Sequence, residues 1–190
     1  MTGRILGTGA YVPARIVENQ ELAKLVDTND AWIRERTGIA RRHVAEEETT
    51  SYMAAQAARE ALCQAEISSE EVDLILVATS TPDTIFPCVA CEVQKAIKAA
   101  NSVGFDLNAA CSGFLLAYQT AQAYIQAGLY KTILIIGSDS MSHVIDWTDR
   151  GTCILFGDGA GAVILRAEEG GLCFHAAHSD GAGGGVLTGR

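Results

Sequence analysis

Cys111 stands within Val103–Phe114, VGFDLNAACSGF. The strand-like run ends near Leu107, small residues follow, and a helical run opens at Ser112. That order predicts a strand, a tight turn and a helix, with the thiol at the turn. The start of a helix carries roughly half a unit of positive charge, which favours a thiolate. Its unpaired N–H groups can also stabilise the oxyanion formed when a thiolate attacks a thioester carbonyl. Ala109, Ala110 and Gly113 leave room for an acyl chain. On position alone, a cysteine opening a helix is more often a small buried hydrophobe.

A second group has the residue types to hold a nucleotide, although taken locally the plainer reading below is the favoured one. Thr28–Arg42 reads TNDAWIRERTGIARR, and Trp32 and Arg36, four apart, share one face of a short helix. An indole beside a guanidinium suits an adenine ring and phosphates. The plain alternative is a half-buried tryptophan beside a solvated basic cluster of Arg34, Arg36, Arg41 and Arg42. Asp146–Gly151, DWTDRG, adds Arg150 in a polar loop. Phe156–Gly161, FGDGAG, could cradle phosphate, but no helix follows it. It reads instead as a hairpin turn between strands at Thr152–Phe156 and Ala162–Arg166. Cys88 and Cys91 form a lone C-x-x-C, without the second pair a zinc site needs. A redox C-x-x-C would open a helix after a strand, and this one sits near such a point, but Cys91 continues into the helical run ACEVQKAIKA, so the spacing reads as two cysteines sharing a helix face in the core, and no metal site is expected. His43, His143, His175 and His178 read as surface or structural residues.

The elements that position these residues alternate between two periods. Strand-like runs occur at Arg4–Gly7, Asp73–Thr79, Val103–Leu107 and Thr132–Gly137, besides the two flanking FGDGAG. Helical runs occur at Glu18–Val26 and Ser51–Ala65, from Pro87 to about Ala99, and at Ser112–Ala127, the last closed by Gly128. Continuous apolar strands such as Ile133–Ile136 are buried on both faces. The class is therefore α/β, with a mostly parallel central sheet and helices on both faces. No linker, repeat or low-complexity tract interrupts it. Asp180–Arg190, DGAGGGVLTGR, has loop composition, and the expectation is that something continues it.

Bulk properties narrow the function. The 190 residues are 48% hydrophobic and 19% charged, with a formal net charge of -9. Nonspecific nucleic-acid binding is disfavoured. No apolar run approaches the roughly 20 residues of a membrane span. The N-terminus lacks a signal-peptide pattern, and six cysteines in a chain this long need no disulfide framework. These features predict a cytoplasmic protein with no nucleic-acid or membrane partner.

With these residues in view, the chain resembles the β-ketoacyl-acyl-carrier-protein synthase III branch of the thiolase-like condensing enzymes. The likeness runs through GTGAYVP, DTNDAWIRERTGI, STPDTIFP, DLNAACSGF, GSDSMS, TDRGT and FGDGAGA, in the family's order and spacing. Position 112 is Ser where many members have Ala. The resemblance implies a thiolase-like half-domain over residues 1–190, the N-terminal half of a two-half protein. It implies that Cys111 takes the acyl group from acyl-CoA and condenses it with malonyl-acyl carrier protein. Trp32 and Arg150 would sandwich the adenine, with Thr28 and Arg36 at the nucleotide end. Phe86 would cross a homodimer interface to close the partner's acyl pocket, and Met141 and Phe156 would line that pocket. Coenzyme A enters as a substrate thioester, and no cofactor is expected. The family's catalytic His and Asn belong to its C-terminal half, so this chain should need that half. Two alternatives remain: a non-catalytic half-domain, and a starter-unit synthase of a polyketide pathway.

Overall fold

The computed structural model describes residues 1–185. Over them the chain runs β1 (Thr2–Tyr11), β2 (Ile16–Glu18), α1 (Asn19–Leu22), α2 (Asp30–Thr37), β3 (Arg41–His43), α3 (Thr50–Ala65), β4 (Leu74–Ala78), α4 (Val89–Ile97), β5 (Val103–Leu107), α5 (Gly113–Gln126), β6 (Thr132–Ser140) and β7 (Asp158–Glu168), with short 3-10 turns between. The last part of the Gly-rich tail, 186–190, lies outside the described residues.

Five strands form the main sheet in the order β1-β7-β6-β4-β5. The pairs β6–β4 and β4–β5 are parallel, while β7 is antiparallel to both β6 and β1. Four of the five strands therefore point the same way, and β7 alone is reversed. In β4 every residue is buried, and successive side chains serve opposite faces. Ile75 and Val77 join Leu134, Ile136 and Ile164 beneath α3 and α4. Leu74, Leu76 and Ala78 join Ile133, Ile135 and Leu165 beneath α5. This two-sided burial is why the strands read as unbroken apolar runs.

Small residues set the spacing between layers. The α3 side facing the sheet carries Ala54, Ala57, Ala58 and Ala61, all fully buried. At Gly9 of β1 an added Cβ would lie 2.2 Å from the Ala57 carbonyl oxygen, so the strand runs directly against the helix backbone. Thr49 caps α3 by accepting the Tyr52 N–H. The start of α4 is held differently: the Asp106 carboxylate on β5 accepts the N–H groups of Val89 and Ala90, each at 2.8 Å.

A smaller lobe combines the antiparallel pair β2–β3 with α1 and α2 around Val17, Leu22, Ile33, Val44, Cys153 and Ile154. Four expectations change here. The helix expected over Glu18–Val26 is confined to Asn19–Leu22. Thr152–Phe156 is not a strand but a run of turns. Its apolar residues, Cys153 and Ile154, are buried against this lobe rather than paired in the sheet. Asp149 shapes the turns by accepting the Gly151 N–H and the Thr152 hydroxyl. FGDGAG is accordingly no hairpin, since Asp158–Gly161 forms the first residues of β7. Arg42, expected in a basic surface cluster, is only 5% exposed. Its guanidinium donates to the Val17 and Ile154 carbonyls and to Asn19 Oδ1.

Candidate active site

Cys111 lies in a single 3-10 turn, Ala110–Ser112, between the end of β5 and the start of α5. The thiol is exposed. Ala110, immediately before it, has φ +47°, a left-handed conformation that side chains other than glycine's seldom adopt. Asn108 supports that turn: its Oδ1 accepts the Ala110 N–H at 3.2 Å and the Ser80 hydroxyl at 3.3 Å. Ser80 is anchored in turn, its N–H donating to Asp139 Oδ1 at 2.7 Å. The same oxygen accepts from the Thr79 and Thr81 hydroxyls and from the Thr81 N–H. The loop after β4, the end of β5 and the end of β6 are thus tied together beside Cys111. No side chain caps the start of α5, so its first N–H groups remain free of side-chain acceptors. At Gly113 an added Cβ would sit 3.1 Å from the Ala78 Cβ, so glycine lets the head of the helix approach β4.

Cys111 opens onto a depression of about 500 Å³, with Ala110, Phe114, Met141 and Gly159–Gly161 among its walls. Of the residues expected to line an acyl pocket, Met141 is in this wall. Phe156 is half-buried and adjoins Gly157, another wall residue. Phe86 is 82% exposed and lies outside it. None of the four histidines lines it either, and His43 is instead held by the Pro13 carbonyl at 2.6 Å. Asn108, Ser80 and Asp139 carried no signal of their own in the sequence, because a polar residue at a strand end is ordinary loop chemistry.

Trp32, Arg36 and Arg150 converge elsewhere, on the small lobe. The Arg36 and Arg150 guanidinium carbons lie 4.4 and 4.3 Å from the centre of the Trp32 ring. Arg150 also faces Asp27 at 3.7 Å. The Thr28 hydroxyl is buried and has no hydrogen-bond partner among the described residues. Asp146 and Asp149, in the loop bearing Arg150, are held below the usual carboxylate range. For Asp146 the main causes are the Thr148 hydroxyl and N–H, and for Asp149 the Thr152 hydroxyl and Gly151 N–H. Among the described residues no group of three His, Cys, Asp or Glu side chains could hold a metal ion. No helix of the described residues is long and apolar enough to cross a membrane.

A mostly parallel sheet clothed by helices on both faces, with a cysteine presented between a strand end and a helix start, has the architecture of a thiolase-like half-domain. Comparison with known proteins narrows this class. A family model described as 3-oxoacyl-[acyl-carrier-protein (ACP)] synthase III matches residues 105–183. A β-ketoacyl-[acyl-carrier-protein] synthase III of Bacillus anthracis is 52% identical over 183 residues, covering 95% of this chain and 59% of that protein. The crystal structure of 3-oxoacyl-[acyl-carrier-protein] synthase III from Aquifex aeolicus VF5 superimposes with a TM-score of 0.87 at 50% identity, over 88% of this chain and 55% of that one. The priming β-ketosynthase of the R1128 polyketide biosynthetic pathway superimposes with a TM-score of 0.86 at 38% identity, over 88% of this chain and 51% of that one. The chain belongs to the β-ketoacyl-[acyl-carrier-protein] synthase III family, and it spans somewhat more than half the length of the relatives it matches.

Proposed function

We propose that residues 1–190 are the N-terminal thiolase-like domain of a cytoplasmic, homodimeric acyltransferase that begins fatty acid synthesis. The observation that carries this is Cys111, exposed on a strained turn at the head of α5 and facing its own depression. The Cys111 thiolate attacks the acyl-CoA carbonyl, and the positive end of α5, which no side chain caps, stabilises the oxyanion. Collapse expels the coenzyme A thiolate and leaves an acyl-cysteine. Malonyl-acyl carrier protein then loses carbon dioxide, its enolate carbon attacks the acyl-cysteine, and Cys111 leaves as thiolate. Coenzyme A is therefore a substrate, and no cofactor takes part. Trp32, with Arg36 and Arg150, supplies the adenine-binding face, and Thr28 offers an unpaired hydroxyl beside it. In this structure both guanidiniums already stack on Trp32, so adenine enters by displacing Arg150 from the ring. Phe86, on an exposed loop, reaches the partner's acyl pocket, while Met141 and Phe156 line the pocket in their own subunit. The resemblance assigns the His and Asn donors that stabilise the enolate to the family's C-terminal half, and among the described residues no histidine lines the Cys111 depression.

The test is incubation with radiolabelled acetyl-CoA, followed by digestion. Label belongs on Cys111, and Cys111→Ser should abolish it, because a serine hydroxyl is far less ionised near neutral pH. Label on another cysteine, with Cys111 unmodified, overturns the assignment. The structural likeness to a polyketide priming ketosynthase favours one second reading, a starter-unit synthase with the same cysteine chemistry and a different acyl group. Comparing labelling by acetyl-CoA with that by longer acyl-CoA thioesters tests the acyl preference on which the two differ.

A further inference from the structure

Cys88 and Cys91 take no part in the chemistry above. Cys88 is the residue that precedes α4, and Cys91 lies in the first turn of that helix. Both are half-buried, and their Sγ atoms lie 3.4 Å apart, within hydrogen-bond reach. Among the described residues no other two cysteine sulfurs come so close. Cys88 does touch the core beneath α3 and α4, as the spacing suggests. Core packing alone, however, does not require the two sulfurs to converge on each other at a partly open helix start.

We infer that Cys88 and Cys91 are a redox-active dithiol, a modification site separate from Cys111, which a low-molecular-weight disulfide converts into an intramolecular disulfide. The Cys88 thiolate attacks one sulfur of the small disulfide. That S–S bond breaks, one small thiolate leaves, and a mixed disulfide forms on Cys88. The Cys91 sulfur gives up its proton as it bonds to the Cys88 sulfur, and the second small thiolate leaves. Each protein sulfur loses one electron, the small disulfide gains both, and the two protein protons end on the two small thiols.

The surroundings determine what kind of pair this is. The Asp106 carboxylate already occupies the positive end of α4 through Val89 and Ala90, which cancels the field that activates thiols at a bare helix start. The Cys88 sulfur, and then burial, raise the Cys91 thiol above its ordinary value, so Cys91 is the sulfur that keeps its proton until the second step. The ring closed by a C-x-x-C is short, so it constrains the unfolded chain less than a long loop would. The pair is therefore an exchangeable redox site of modest rate, neither a structural staple nor a fast oxidoreductase centre.

The experiment equilibrates the chain with glutathione disulfide, quenches with acid, and alkylates free thiols with iodoacetamide. Trypsin with a glutamate-specific protease releases Val72–Glu92, a peptide whose only cysteines are Cys88 and Cys91. The expected peptide is lighter by two hydrogens and carries no alkyl label, and dithiothreitol restores two labels. In Cys91→Ser the first step should stall as a glutathione adduct on Cys88. The same result in Cys111→Ser makes the outcome independent of the function proposed for Cys111. The inference is overturned if Cys88 and Cys91 stay fully alkylatable while Cys63 or Cys111 is glutathionylated. Separate adducts on both residues, or a cross-link to another cysteine, overturn it equally.

Discussion

Ala110→Gly should make the chain more stable and a slower acyl acceptor. Ala110 holds φ +47° next to Cys111, a region where the side chain crowds the backbone at a cost of about 1–2 kcal/mol. Glycine removes that crowding but gives the unfolded chain more freedom, which costs about 0.5–1 kcal/mol. Ala110 is exposed, so no cavity opens, and its N–H keeps the Asn108 acceptor. The net gain is about 0.5–1 kcal/mol, or about 1–4 °C in Tm for a chain of this size. Acyl transfer moves the other way. A freer residue before Cys111 lets the thiol leave its aimed position, and about 1 kcal/mol of lost orientation slows transfer about fivefold. Circular dichroism melts give the first quantity, and the initial rate of Cys111 labelling by radiolabelled acetyl-CoA gives the second. Asn108→Ala should cost about 1 kcal/mol by itself and less in the Ala110→Gly background, because there is less strain left to support. A lower Tm in Ala110→Gly, or an undiminished labelling rate, would refute the claim that the turn is strained in order to aim the thiol.

Other perturbations test the frame around the site. Gly9→Ala drives a Cβ to within 2.2 Å of the Ala57 carbonyl oxygen and 2.4 Å of the Ala61 amide nitrogen, both helix backbone. It should cost about 3 kcal/mol, and an unchanged urea midpoint would contradict the close approach of β1 to α3. Arg42→Ala leaves Asn19 Oδ1 and the Val17 and Ile154 carbonyls without their donor, a loss of about 2–4 kcal/mol, and wild-type thermal stability would show that the buried guanidinium is dispensable. In a protein that carries both halves, Trp32→Ala should raise KM for acyl-CoA about tenfold and leave kcat nearly unchanged, because the contact is remote from the reacting carbon; an unaltered KM would remove Trp32 from the site. Asp146 and Asp149 have folded pKa values below their ordinary 3.8, so between those values the unfolded chain binds more protons than the folded one. Their contribution is complete above the ordinary value and lost as pH falls through the folded values. Melts from about pH 5 to about pH 2.5 should show Tm falling, and Asp149→Asn should flatten the fall. A Tm that rises with acid would reverse the sign of the argument.

The parts of the fold that could be read in the sequence share one physical property: their burial is decided locally. Residues 74–78 and 133–136 are apolar without interruption because helices cover both faces of the sheet, so pattern and environment coincide. The start of β7 shows where that fails. Gly157, Gly159 and Gly161 look like turn glycines, but two of them are small because other backbone is near. An added Cβ would lie 2.9 Å from the His43 carbonyl oxygen at Gly157, and 3.2 Å from the Tyr11 carbonyl oxygen at Gly159. Both neighbours are distant in sequence, and no local rule contains them. Thr152–Phe156 misleads for the complementary reason, since an apolar run shows that a segment is buried without showing what buries it.

The candidate site divides along the same line. The Cys111 turn is legible because small residues between a strand and a helix are a local signal, and Trp32 with Arg36 is legible because i, i+4 spacing is one. Arg150 reaches Trp32 only through the fold, and family resemblance rather than chemistry pointed to it. Asp139 had no signal at all, yet its Oδ1 gathers four donors from Thr79, Ser80 and Thr81. Those donors stand just past the carboxyl end of β4, and Asn108 stands just past that of β5. Where parallel strands end together, their loops emerge side by side, and a ligand site forms outside the carboxyl ends. Asp139 binds two of those ends into one unit, and the strain at Ala110 can persist only because the surrounding loops are held in this way. The Cys111 turn is therefore joined to Asp139, a carboxylate in the wall of the same depression, by a hydrogen-bonded path that runs across strands rather than along the chain.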